Sequence, residues 1–221
     1  MVLKIFGNAL YRHYVKRDVA RQYMRDVCVE KVEKGIIVNE HIHGFGVFDK
    51  NHKFIESSRQ VRKNNGQFVP KYSRENIPFV DRDAIFIGNV YPQFGHFLLE
   101  HMNRAWVLAD KKYKEMLVVL INNQNVNPVP EYMYKFLELM GIPRQNILIL
   151  NQTTQFRNVF IPSQGFNIPL YSSHEFGKTF DVIAENINCD SNEEYYEKIY
   201  MSRDALKKRR TYGEKFISGI F

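Results

Sequence analysis

Three short apolar runs, "AIFIG" from Ala84, "MLVVLI" from Met116 and "NILIL" from Asn146, constrain this chain more than any other feature. None of them alternates between polar and apolar residues, so each reads as a short apolar strand and "MLVVLI" as a fully buried one, the pattern of a parallel sheet covered by helices. The intervening segments have the helical period. The spacing predicts a helix from Pro92 to Tyr113 and a second over "PEYMYKFLELMG", with Pro130 near its start and Gly141 at its C-terminal cap. Strand, helix, strand, helix, strand is a parallel α/β unit with right-handed crossovers.

A further strand, "NVFIPS", follows, and then a helix over "SSHEFGKTFDVIAENI" capped by Ser172 or Ser173, with Glu175 in its first turn. The first eighty residues read as strands and loops. "VCVEKVEKGIIVNE" alternates around Gly35, and "GFGVFDKNHKFIESS" reads as two short strands joined by the polar turn Asp49 to His52. The expected fold is therefore α/β: a Rossmann-like parallel sheet at 81–189, forming one domain with a β-rich N-terminal segment at 1–80. The acidic "NCDSNEEYYE" marks a linker, placed at 190–197. The closing strand and basic sequence at 198–221 read as the start of a further domain or as a segment crossing back onto the first, since a lone strand cannot bury itself.

The sequence has ample packing material, with 44% hydrophobic and 14% aromatic residues in 221. A formal charge of +7 favours anionic partners such as nucleotide diphosphates or an anionic membrane surface. Cys28 and Cys189 are too few for a disulfide framework or a thiolate metal site, which suits a reducing compartment. With no signal peptide and no apolar run approaching ~18 residues, the expected location is cytoplasmic, peripheral to a membrane at most.

Candidate chemistry centres on "FIGNVYPQFGHFLLEHMNRAWVL", residues 86–108. On a helical projection Phe94, Phe97, Leu98, Met102, Ala105, Leu108 and Ala109 share one face, with His101 inside it as a buried imidazole. His96, Glu100, Asn103, Arg104 and Lys111 fall on the other. His96 follows a strand's carboxyl end, where open α/β sheets place their ligands. Glu100, one turn on, either orients His96 for removing a proton from a hydroxyl or pairs with Arg104 at the same spacing, leaving His96 a solvated residue. Gly88, Asn89, Tyr91 and Gly95 form the loop that would let backbone approach a substrate.

"GHFLLEHMNRAWVL" resembles the signature of glycosyltransferase family 61, in which an aromatic-rich loop precedes a His, an apolar pair and a Glu. "HGFGVFDKNHKFIESS" upstream is similar to that family's glycine-rich hairpin, and "KIYMSRDALKKRRTYGEK" downstream to its strand ending in Ser-Arg. The resemblance implies a sugar transferred with inversion from a nucleotide-sugar donor to a glycan acceptor hydroxyl, in capsular-polysaccharide-type biosynthesis. It also implies the N-terminal half of a two-domain GT-B-type architecture, with most of the donor-binding half outside these 221 residues. The base side falls to His96 and Glu100. Phosphate binding falls to Arg203, whose fork can hold two oxygens, and to Ser202 beside it. Lys207, Lys208, Arg209 and Arg210 read as a diffuse footprint for an anionic surface. The alternative is a non-catalytic fragment or partner-binding domain of the same descent.

No covalently bound cofactor is expected, and no motif fixes metal dependence. The Asp-x-Asp form of Asp81 to Asp83 is read as loop polarity, because it lies before the "AIFIG" strand and away from the expected cleft. The glycine-aromatic texture of His43 to Asp49 resembles an RNA-recognition strand, but no companion aromatic strand precedes it, so no specific nucleic acid is expected.

Overall fold

The structure, a computed structural model, describes residues 26–40, 44–62, 65–66, 68–167 and 170–187. The expectations placed at 190–197 and 198–221, including Ser202 and Arg203, lie outside the described residues.

The fold is mixed α/β around one seven-stranded sheet whose centre is parallel. Its strands are β1 (Val29–Glu33), β2 (Ile36–Glu40), β3 (Gly44–Phe48), β6 (Phe79–Asn89), β7 (Leu117–Ile121), β8 (Ile147–Leu150) and β9 (Thr154–Pro162). Two small ribbons lie apart from it: β4 (Val61–Arg62) with β5 (Asn65–Gly66), and β10 (Phe166–Asn167) with β11 (Tyr171–Ser172). The order is β3-β2-β9-β6-β7-β8, with β9, β6, β7 and β8 mutually parallel and β1, β2 and β3 antiparallel at one side. The three apolar runs are thus strands as expected, with β7 and the apolar part of β6 buried and β8 half-buried at the end of the sheet order. The β-rich N-terminal residues belong to the same sheet, because β1 and β2 both lie along β9 in one uninterrupted register: Glu33 faces Asn158 and Ile36 faces Gln155. Between them Lys34 takes the left-handed conformation at φ 50°. Gly35 follows because a Cβ there would stand 2.7 Å from the Val159 side chain.

Residues 151–153 alone join β8 to β9, a connection that reaches roughly 14 Å at full extension. On a flat sheet β9 would begin beyond β7 and β6 and at the opposite end of the strands, out of that reach. The sheet therefore curls until the end of β8 meets the end of β2. There Asn39 Nδ2 donates to the Leu150 carbonyl at 2.9 Å, and the Asn39 amide donates to Thr153 Oγ1 at 3.2 Å. The concave face is filled mainly by sheet residues, among them Val32, Ile37, Val47, Phe86, Val119 and Leu150, with Ile55 packed against them. The opposite face of β6 and β7, Ile85, Ile87, Val118 and Leu120, packs under the helical segments.

Those helices are few. α1 (Phe94–His96) runs into a π-turn, Phe97–His101, and short 3-10 turns follow at Ala105–Ala109 and Lys111–Tyr113. The single helix expected from Pro92 to Tyr113 is broken, for a tertiary reason. Asn103, Arg104 and Trp106 bond to the backbone at and just beyond the end of β9: Asn103 to the Phe166 carbonyl, Arg104 to that of Pro162 and Trp106 to that of Ser163. Holding all three against one segment is incompatible with a regular 100° progression. α2 (Glu131–Leu139) ends at Gly141 in the left-handed region, φ 83°, and α3 (His174–Asn186) is capped by Ser173, whose Oγ accepts from the Phe176 amide at 3.1 Å. Among the described residues no helix is long and apolar enough to cross a membrane.

Candidate functional site

The carboxyl end of β6 opens onto a loop and then directly onto α1. Gly88 and Asn89, expected in that loop, are instead the last residues of β6 and are buried. Gly88 sits at a register shift against β7 with φ 147°, and a Cβ there would meet the His101 carbonyl at 3.1 Å. Its glycine is required by the close approach of the π-turn, with no need to invoke a ligand. Gly95 is exposed in the first turn with open space around it. Tyr91 is the organising residue of the loop. Its ring meets His96 edge-on at 5.3 Å and stacks on His101 at 4.9 Å, with planes 16° apart.

His96 and Glu100 come together. Nδ1 of His96 and Oε1 of Glu100 are 2.8 Å apart, with side-chain exposures of 34% and 15%, so the pair is half-sheltered and still reachable. The π-turn sets this geometry: the Met102 amide bonds to the Phe97 carbonyl, and Gln60 Nε2 holds the Glu100 carbonyl at 2.6 Å from outside the turn. With Nδ1 engaged by the carboxylate, Nε2 is the nitrogen left to exchange a proton with a bound hydroxyl.

Arg104 corrects the expected helix phase. Placed on the polar face by projection, it is fully buried, and Glu100 takes His96 as its partner. The guanidinium donates to the carbonyls of Ser57 and Arg59 at 2.9 Å each and to that of Pro162, and lies 5.6 Å from the Phe86 ring centroid. Burial pushes its pKa down to about 10. It stitches residues 57–59 and the end of β9 to the π-turn, which positions Gln60 against Glu100. His101 is buried as expected, and Phe94, assigned to the core face, is 51% exposed beside Tyr132 and Phe136.

Neither Gln60 nor Gln164 was legible as part of this region. Gln164 bonds both backbone groups of Val61, fixing the residue that follows Gln60, and isolated glutamines have no spacing that marks them. Asp81 and Asp83 lie within β6 rather than in a loop. Asp81 pairs with Arg157 at 2.9 Å and Asp83 accepts from Asn158 at 2.7 Å, so both tie β6 to β9.

Asparagines close the other parallel strands. Asn122 follows β7 and Asn151 follows β8, and Asn89 at the end of β6 bonds Asn123 at 3.2 Å. The chain matches no family model, and no curated protein and no solved structure is significantly similar to it.

Proposed function

We propose that this chain carries the acceptor-activating part of an inverting glycosyltransferase that moves a sugar from a nucleotide-sugar donor to a glycan hydroxyl, in an arrangement akin to the N-terminal half of a GT-B-type enzyme. The observation that supports it is the His96–Glu100 pair, 2.8 Å apart at the carboxyl end of a central parallel strand. That is where open α/β sheets bind ligands, and a half-exposed imidazole backed by a carboxylate is the group that proton abstraction needs.

In this reading the acceptor hydroxyl bonds to Nε2 of His96. As its oxygen attacks the anomeric carbon, the proton passes to Nε2, the bond from that carbon to the diphosphate oxygen breaks, and the electron pair leaves with the nucleotide. Glu100 stabilises the imidazolium formed. Ser202 and Arg203 are the proposed phosphate ligands, and the positive balance of +7 suits an anionic donor.

The test, run on a longer protein that carries both halves of the proposed architecture, is acceptor-dependent release of nucleoside diphosphate from a panel of nucleotide sugars; this chain alone is expected to turn over no faster than background. The reading expects turnover that falls ~10²–10⁴-fold in His96→Ala with donor affinity nearly unchanged, and a smaller fall in Glu100→Gln, which keeps the shape and removes the charge. Turnover that survives His96→Ala would assign the base elsewhere.

A further inference from the structure

A cavity of about 470 Å³ lies at the carboxyl ends of β7 and β8, apart from the His96–Glu100 pair. It falls within the size of small-molecule sites, roughly 300–1,000 Å³. Its walls hold four asparagines and a tyrosine and no charged side chain. We propose that this cavity is a binding site for a neutral carbohydrate.

The division of labour among the asparagines carries the argument. Asn122 is consumed by the protein: its Oδ1 accepts from the Val126 amide at 2.8 Å, and its Nδ2 reaches the Val126 carbonyl and Asn151 Oδ1 at 3.2 and 3.1 Å. That closes the loop after β7 and anchors it to the end of β8. The side chains of Asn125 and Asn127 make no hydrogen bond among the described residues, Nδ2 of Asn151 is likewise not engaged, and all three residues are exposed. Asn125 is held at φ 50°, a left-handed position that asparagine tolerates. A structural anchor thus displays three carboxamides at one cavity.

Carboxamides both donate and accept, as sugar hydroxyls do, so one amide can satisfy a vicinal pair in either sense. Val126, Val129 and Ile149 supply apolar wall for the C–H face of a pyranose, and Tyr134 adds a ring backed by Arg144, whose guanidinium carbon is 3.5 Å from the centroid. The surroundings do not suit an anion. Glu131 occupies the first turn of α2 beside Val129, and Arg144 is held by Glu131 at 2.7 Å and Glu138 at 3.2 Å. A nucleotide diphosphate would find no cation in the lining, and the Arg144 guanidinium behind Tyr134 is already paired.

The site does not rest on the transfer reading: a chain that binds sugar here and transfers nothing would leave this inference intact and sink the other. The experiment is calorimetric titration of the whole chain with cellobiose, maltotriose and N,N′-diacetylchitobiose, beside inorganic phosphate and UDP, together with NMR of the asparagine side-chain amides. Three substitutions accompany it, Asn125→Gly, Asn127→Ala and Tyr134→Phe. Asn125→Gly removes one amide and keeps the left-handed backbone, and Tyr134→Phe keeps the ring over Arg144 and removes the hydroxyl. The expected result is saturable binding of at least one neutral sugar, with shifts at the amides of Asn125, Asn127 and Asn151. Asn125→Gly combined with Asn127→Ala should weaken it about tenfold or more without lowering the melting temperature. The inference is overturned if no sugar binds at the highest soluble concentration, if phosphate or UDP alone shifts these amides, or if sugar binding is the same in all variants.

Discussion

Arg104 shows how one side chain can override a local pattern. A guanidinium with no carboxylate partner among the described residues is an expensive group to bury, and it is tolerated here because three backbone carbonyls from two distant segments accept its protons. Those carbonyls lose their partner if the fork is lost. Arg104→Lys keeps the charge but cannot reach three diverging acceptors, so it is expected to destabilise by about 2–4 kcal/mol in denaturant unfolding. A variant that unfolds at the parental midpoint would show that the carbonyls find other donors. Because Arg104 holds Arg59, and Gln60 follows it against Glu100, loss of the fork should also disturb the His96 ring, visible as a displaced ring-proton resonance in NMR.

At the scale of elements, the close fit of the π-turn onto β6 depends on a missing side chain. Gly88→Ala puts a Cβ 3.1 Å from the His101 carbonyl at φ 147°, a region L-residues rarely enter. It is expected to cost about 1–3 kcal/mol and to loosen the stack of Tyr91 on His101, with thermal melting and tyrosine near-UV circular dichroism as readouts. Ser173 tests a local rule instead. Its hydroxyl satisfies the Phe176 amide at the start of α3, and Ser173→Ala should cost about 1 kcal/mol, since that amide then has no partner. Ser173→Asp, which also caps and faces the helix dipole favourably, should restore most of the loss.

On the scale of the whole sheet, stability should be uneven. β6, β7 and β9 each have neighbours on both sides, and β6 and β7 are covered on both faces, so their amides should exchange slowest and approach global unfolding. The short β10–β11 ribbon should exchange early. Asn39→Ala probes the curl directly. It removes the side-chain bond from the end of β2 to the Leu150 carbonyl, and exchange should accelerate at β8 and at the start of β9 more than at β7. Uniform acceleration across the sheet would mean the bond contributes only to global stability.

What the sequence determined by itself is what short-range chemistry governs. The central strands were legible in uninterrupted apolar runs, the ends of α2 in Pro130 and Gly141, and the start of α3 in the Ser172–Ser173 pair, because each depends on backbone geometry within a few residues. The four-residue spacing offered Glu100 both His96 and Arg104, and the fold chose His96. The broken helix after His101, the burial of Arg104, the curl that carries β8 into β9 and the asparagine cavity were decided only by tertiary structure. Arg104 bonds carbonyls 45, 47 and 58 residues away, and Asn39 and Leu150 are 111 apart. Such partners leave no periodicity in the chain. A projection assigns a long polar side chain to water, and only the folded arrangement of acceptors makes its burial the lower free energy.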